Sequence, residues 1–581
     1  MWFFTISTVL SAFALAFLAC VRPRRVKRNE RRRIEREAVR RKCKPAPVMP
    51  YKGFLGLGRL REGLRATREG RGPQYVIEAI NAEMGEHIHT VVVPIFDYEL
   101  VVSRDPIVIH TVLSNAASDW DISEHRAESW KPLVGNGIFT SRGAEWKHSR
   151  SLIRPQFAMD QINDIDMFER HVQHLFEVID ERWDQNLDTK WTDIFDLQPL
   201  FYNLTLDIVT EMLFGYSVHS QSPSQRTQLP IVPGYKTPDR ANIGKHMDAG
   251  KAWVETRGAL WKYRWLLPSW QFNRHCAAVH EYAEYFVQLR LQRGDKYLEG
   301  LDQHRKVDGN GERFVLLHEL AKVTQDPEEL RSQPLNVLTA GRDTTAALLG
   351  WMFYLLARHP EVLEQLREEV LSLFGRYIPG SPVQVEFKQL RDNMPYMQAV
   401  INETLRVAPV VPLNDRIALR DTVLPRGGGP NHDEPMFVPK GTQILIPTYA
   451  LGMRSTFWGP DSHQFNPDRW LRKTGRPGFE YIPFGGGSRQ CLGRKLSIPR
   501  YCLVFEADAN QRAEQLARIK AAYVTGRILQ RFDMIENMES PADAPMNFHH
   551  TIENRSGTGV QIRMRFAEWE EHKPQEEGIL Y

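Results

Sequence analysis

The run Phe484-Gly485-Gly486-Gly487-Ser488-Arg489-Gln490-Cys491-Leu492-Gly493 holds the most chemically suggestive residues of the chain. Glycines and small residues let a backbone loop come close to something flat and large. Within that loop Cys491 is a candidate thiolate. Arg489 and nearby backbone N–H groups favour S⁻ over SH and would tune a bound metal. Cys276 and Cys502 have no such setting and read as buried structural thiols. A second arrangement is Ala340-Gly341-Arg342-Asp343-Thr344-Thr345, inside a long apolar stretch. A mid-helix glycine costs about 1 kcal/mol relative to alanine. Asp and Thr compete there for backbone hydrogen bonds. Three poor helix formers in an otherwise strong helix mark Asp343 and Thr344 as functional candidates. Glu403-Thr404-Leu405-Arg406 puts both charges on one helix face, a spacing that solvated ion pairs share.

Other chemistries find little support. No CxxC or HExxH pair supplies a zinc site. The Gly-rich runs at 53–58, 427–429 and 485–487 lack the strand–GxGxxG–helix setting of a dinucleotide site. Five cysteines are too few and too scattered for a disulfide framework, and their odd count fits a reducing compartment.

Helical periodicity supplies the elements that must position these groups. Segments 159–185, 194–214, 276–300, 334–358, 360–375 and 386–408 read as helices. Short β-like runs fall at 88–103, 416–424, 435–447 and 548–566. The last reads as a hairpin turning at Gly557 and Gly559. With no repeat and no long linker after residue 51, the expectation is a mainly α architecture with small peripheral sheets, one domain over 51–581.

The chain begins with 21 residues that carry no charged side chain, long enough as a helix to cross a bilayer. Thirteen Lys/Arg and three Glu follow in 22–44. That order predicts a transmembrane signal-anchor over 1–21, with the body on the cytosolic side. The linker 22–50 also suits anionic headgroups. The overall charge of +4 leaves −6 on 45–581 once the +10 of the basic run is removed, so a nucleic-acid-binding body is not expected.

The Cys491 loop matches FxxGxRxCxG, and the chain over 51–566 resembles the cytochromes P450. Trp146-Lys147-His148-Ser149-Arg150 is similar to the family's WxxxR helix, and Phe465-Asn466-Pro467-Asp468-Arg469-Trp470 to its third motif. The resemblance implies haem b with Cys491 as axial ligand, a thiolate that favours O–O cleavage. Phe484 and Gly493 belong to that cofactor loop. It further implies that Trp146 and Arg150, with Arg489 and Arg416, bind the haem propionates. His148, inside that motif, reads as solvated. Gly341 would leave room for dioxygen, Thr344 would hydrogen-bond at the oxygen site, and Asp343 would relay protons to it. Glu403, Arg406 and Arg469 would form a buried triad that holds the cysteine loop in place.

NADPH would supply electrons through a membrane-bound P450 reductase, for which Lys147, Arg494 and Lys495 are docking candidates. The family places such a chain in the endoplasmic reticulum membrane, with no nucleic-acid partner. The wording of GNGIFTSRGAEWKHSRSLIRPQF, LNVLTAGRDTTAALL and NETLRVAPVVPLNDRIAL resembles the fungal P450s that hydroxylate alkanes and fatty acids. The alternatives are a terpenoid or polyketide hydroxylase and an inactive haem- or lipid-binding relative. The region 215–275, rich in Trp and Tyr, is expected to line an apolar channel or to dip into the membrane.

One departure stands out. After Gly493 the family runs straight into a helix, whereas here RKLSIPRYCLVFEADANQRA (494–513) intervenes before Glu514. Pro499 would break that helix. A tolerated loop is one reading. The other is a retained intron. Arg-Lys as CGT-AAG holds a splice donor and Ala-Glu as GCA-GAG an acceptor, and their joining restores CLG-QQLARIKAAYV.

Overall fold

Apolar residues recur along 165–180 at helical spacing, and Asp164 caps the start by accepting from the Met167 N–H. The same logic builds most of the chain. The computed structural model describes residues 29–53, 56–95, 98–157, 164–183, 190–260, 264–265, 267–298, 314–379, 387–472, 477–492, 515–551 and 553–568. The expected membrane span 1–21, Gly493 and the insertion 494–513 lie outside these residues. Among the described residues no helix is long and apolar enough to cross a membrane.

The chain divides into two compact units. The larger comprises 63–76, 122–414 and 448–581 and is helical. Its helices include α1 (Glu124–Val134), α2 (Gly143–Ile153), α3 (Ile165–Asp180), α4 (Gln198–Phe214), α5 (Ile243–Leu260), α6 (Trp270–Arg293), α7 (Pro327–Leu356), α8 (Pro360–Phe374), α9 (Pro395–Val407) and α10 (Gln515–Arg531). Helix α7 is buried on every face from Leu335 to Thr339 and from Thr345 to Leu356, so it runs through the core rather than along it. It packs with α1, α4 and α6 around Leu213, Phe214, Phe286 and Leu338, all essentially without solvent contact.

The smaller unit comprises 1–62, 77–121 and 415–447 and carries a five-stranded sheet. The strand Thr90–Ile95 pairs antiparallel with Tyr98–Ser103, which pairs parallel with Gln443–Pro447. The β-like run expected at 88–103 is therefore a hairpin, held at its open end by a Thr90–Ser103 side-chain hydrogen bond of 2.9 Å.

Two expectations need correction. The segment 386–408 is two helices, Phe387–Asp392 and α9, because Pro395 has no N–H to donate and starts a new helix instead. The segment 548–566 is not one hairpin. Phe548–His550 pairs with Asn554–Ser556, while Gln561–Phe566 pairs with Phe532–Asn537 and Phe195–Asp196. The chain turns away at Gly559, whose φ of 78° brings the Val560 N–H onto Asp196.

Candidate functional site

The cysteine loop is built by two glycines in left-handed conformation, Gly485 at φ 73° and Gly487 at φ 67°. They fold the chain back so that the Cys491 N–H donates to the Phe484 carbonyl at 3.0 Å. The Cys491 thiol is left exposed, whereas Cys43 and Cys276 are buried. Burial pushes the Cys276 thiol up to about 12, the behaviour of an inert structural cysteine.

Helix α2 brings the WxxxR residues to this loop. Arg150 donates to the Gln490 carbonyl at 3.1 Å. Arg489 lies over the buried Trp146 ring at 4.4 Å and donates to the Ser141 carbonyl. Arg150 approaches the same ring at 5.5 Å. Burial lowers the Arg150 pKa, and the Cys491 sulfur is the opposite charge that counters it. Among the described residues Arg150 has no carboxylate partner. His148, on the opposite side of α2, is exposed and pairs with Glu329 at 2.7 Å. Arg416 belongs to the smaller unit, where it is buried and donates to the Asp415 carbonyl.

On α7, the Thr344 hydroxyl donates to the Ala340 carbonyl at 2.7 Å. Asp343 is only 2% exposed rather than facing solvent. Lys251 of α5 approaches it at 2.9 Å, and Arg342 binds its other oxygen at 2.9 Å. Burial pushes the Asp343 carboxyl up, against the pull of both cations. A Cβ at Gly341 would lie 3.1 Å from Val209 of α4, so the missing side chain lets two helices close up.

Glu403 and Arg406 of α9 are completely buried and meet at 2.7 Å, and Arg469 joins Glu403 at 2.9 Å. Arg406 also donates to the carbonyls of Gly452, Ser462 and Gln464. Glu403 further accepts from the Asn466 N–H and the Trp470 indole, each at 2.9 Å. Every guanidinium proton of Arg406 is thereby used.

Sequence reasoning missed several partners. Trp470 had a signal, since it stands next to Arg469 in the third motif. Lys251, Asp248 and Glu553, which surround Asp343, had none.

The set therefore holds one exposed thiol in a glycine-shaped loop, flanked by guanidinium groups and an indole. That donor set fits a flat group whose metal takes a thiolate and whose edge carries carboxylates. The sequence matches the family profile Cytochrome P450 over residues 72–506. The chain belongs to the cytochrome P450 family. It is 36% identical to "Cytochrome P450 monooxygenase g430" of Fusarium sp, over 92% of this chain and 86% of that protein. It is 34% identical to "Cytochrome P450 52A9" of Candida maltosa, over 85% and 87%. With "Cytochrome P450 52A6" of Candida tropicalis it shares 33% identity over 96% and 97%. This P450 is a monooxygenase of the haem-thiolate class, and its family works with a reductase on small-molecule substrates.

Proposed function

We propose that this P450 hydroxylates long-chain alkanes or fatty acids at or near the chain terminus. Its resemblance to the fungal alkane- and fatty-acid-hydroxylating group supports that reading, as does a full-length match to several 52A proteins.

Cys491 would hold the haem iron, with Phe484 and Gly493 shaping the loop around it. Trp146, Arg150 and Arg489 would bind the propionates. The observation that carries this reading is the half-buried Arg150 guanidinium, which reaches the Cys491 loop and has no carboxylate partner among the described residues. Bound haem supplies dioxygen binding and O–O cleavage. The chain's own residues supply the rest. Asp343 holds a proton for the oxygen site, and Thr344 presents a hydroxyl oxygen beside it. The Glu403–Arg406–Arg469 cluster keeps the loop in place.

The apolar segment 1–21 would anchor the protein in the endoplasmic reticulum membrane, the body facing the cytosol. The exposed Trp265 and Trp270 are suited to the same interface. Electrons would come from NADPH through a membrane-bound reductase. Residues 494–513 are read as a retained intron.

The test is a reduced CO-difference spectrum of the chain expressed in membranes, followed by titration with fatty acids, alkanes and terpenoids. A thiolate-type Soret band that shifts with fatty acids or alkanes, together with terminal hydroxylation, is expected. A shift with terpenoids alone would overturn the substrate class. A missing band that returns on deletion of Arg494–Ala513 would establish the intron. A band missing from both forms would overturn the haem-thiolate site.

A further inference from the structure

We propose that Lys251, itself held by Glu553, is the positioning residue for Asp343. It fixes the carboxyl group and stabilises the carboxylate left when the proton is delivered. The inference rests on Asp343 as the proton source of the proposed function.

The side chains of Asp248, Lys251 and Glu255 recur at helical spacing on α5 and face one region. Arg342 and Asp343 enter it from α7, and Tyr202 from α4. His549, His550, Glu553 and Arg555 enter from the strands at 548–556. The Lys251 ammonium lies 2.9 Å from Asp343 Oδ2, 2.9 Å from Glu553 Oε1 and 3.3 Å from Asp248 Oδ1. Arg342 bridges Asp343 Oδ1 at 2.9 Å and Asp248 Oδ1 at 2.6 Å. Tyr202 Oη donates to Glu553 Oε1 at 3.4 Å.

The side chains of Lys251, Asp343 and Glu553 are 2–3% exposed, while that of Asp248 is 40% exposed. The Lys251–Asp343–Glu553 centre is therefore shut off from solvent, while Asp248 and His549 at its edge reach it. Burial acts to raise the Glu553 carboxyl, but Lys251 and Arg555 outweigh it and hold it below its usual range. Glu553 thus stays a carboxylate and keeps Lys251 charged. Loss of the Asp343 proton toward the oxygen site would leave a carboxylate between two cations, Lys251 and Arg342. No electron moves in this step. Arg342 binds Oδ1, while Oδ2 has no hydrogen-bond partner among the described residues and faces the Lys251 ammonium at 2.9 Å, so Lys251 acts on the second oxygen through its charge.

The proposal predicts a specific pattern for Lys251→Met in the full-length protein, assayed with reductase in membranes. Product formation falls about 10-fold, part of the 10²–10⁴ that a positioned acid contributes. The solvent deuterium isotope effect rises, and the thiolate-type CO spectrum is unchanged. Lys251→Arg restores most of the rate, and Glu553→Gln shifts both readouts in the same direction by less. A second measurement does not need turnover. Lys251→Met combined with Asp343→Asn shifts Tm by less than the sum of the single variants. An unchanged isotope effect and rate in Lys251→Met, or additive Tm shifts, would overturn the proposal. If the thiolate band is missing both from the chain as written and from the form lacking Arg494–Ala513, the proposed function fails, and the Tm cycle still decides the Lys251–Asp343 contact. If Lys251→Met does not accumulate, the Glu553→Gln and Lys251→Arg pair gives the same decision.

Discussion

The larger unit buries two clusters of charge, and they are satisfied in opposite ways. Around Glu403, charge is surrounded by neutral dipoles. Arg406 spends its remaining protons on three backbone carbonyls, and Glu403 takes a backbone N–H and an indole besides its two arginines. Around Asp343, charge is surrounded by charge. Lys251 meets three carboxylates, and Asp343 meets two cations. A carbonyl cannot change its protonation state, so the first cluster has one stable arrangement. Each acid of the second depends on the ionisation of its neighbours, so its proton occupancy can change. The first suits scaffolding and the second suits proton handling.

The largest expected effect breaks the first cluster. Glu403→Ala strands Arg406 in a dry site, while Arg469 keeps Asp461 at 2.9 Å, and should destabilise the fold by about 3–5 kcal/mol. Thermal unfolding and haem content per polypeptide check this. Little or no holoprotein should form, and a stable holoprotein would remove the scaffolding assignment.

Lys520 of α10 offers a contrasting case. It is 6% exposed and lies over the Phe168 ring at 5.3 Å, with no carboxylate partner among the described residues. Burial alone pulls its pKa from 10.5 to about 8. A depressed lysine pKa means the unfolded chain binds more protons between those values. The penalty is fully present below pH 8 and fades as pH rises to 10.5. Lys520→Met should therefore gain about 2 kcal/mol at pH 7, with the gain vanishing above the upper value. Denaturant melts at the two pH values decide it. No gain would mean that Lys520 has a counter-charge.

Glu255 tests the edge of the Asp343 cluster. Burial first, and Glu553 second, push its carboxyl from 4.5 up to about 7. Here the folded chain binds the extra proton, so stability falls as pH rises through that range and is flat above it. Glu255→Gln should gain about 1 kcal/mol at pH 7.5, the half-buried position reducing the full effect, and nothing at pH 4. Parallel stability curves for wild type and variant would sink this reading.

The smallest effect is expected at His148→Ala. Its exposed pair with Glu329 should contribute under about 0.5 kcal/mol. A larger loss in thermal melts would place His148 in the site after all.

Much of the candidate site was legible from short runs. Glu403 and Arg406 share a helix turn, and Trp146 and Arg150 share another, so spacing alone brings each pair together. The strands at the C-terminal end were not legible. Gly557 and Gly559 look like a hairpin turn locally, yet the choice of partner strand depends on Phe532–Asn537 and on Asp196. The helix expected over 360–375 matched, starting at Pro360, whereas the one expected from 334 starts at Pro327, capped by Asp326. The break at Pro395 was missed because the apolar period continues across it.

By itself the sequence determined which chemistry this P450 can carry. Cysteine, glycine and arginine in one loop need no distant residue to define a thiolate that can approach a flat ligand. Only the tertiary structure decided what surrounds Asp343. Lys251 and Glu553 are 302 positions apart and meet where α5 approaches the residue before the strand Asn554–Ser556, which leaves no periodic trace in the chain. The close approach at Gly341, where a Cβ would lie 3.1 Å from Val209, is likewise visible only in the fold. A motif records what a residue can do. Its charge state and its neighbours are set by burial, which is a property of the assembled helices.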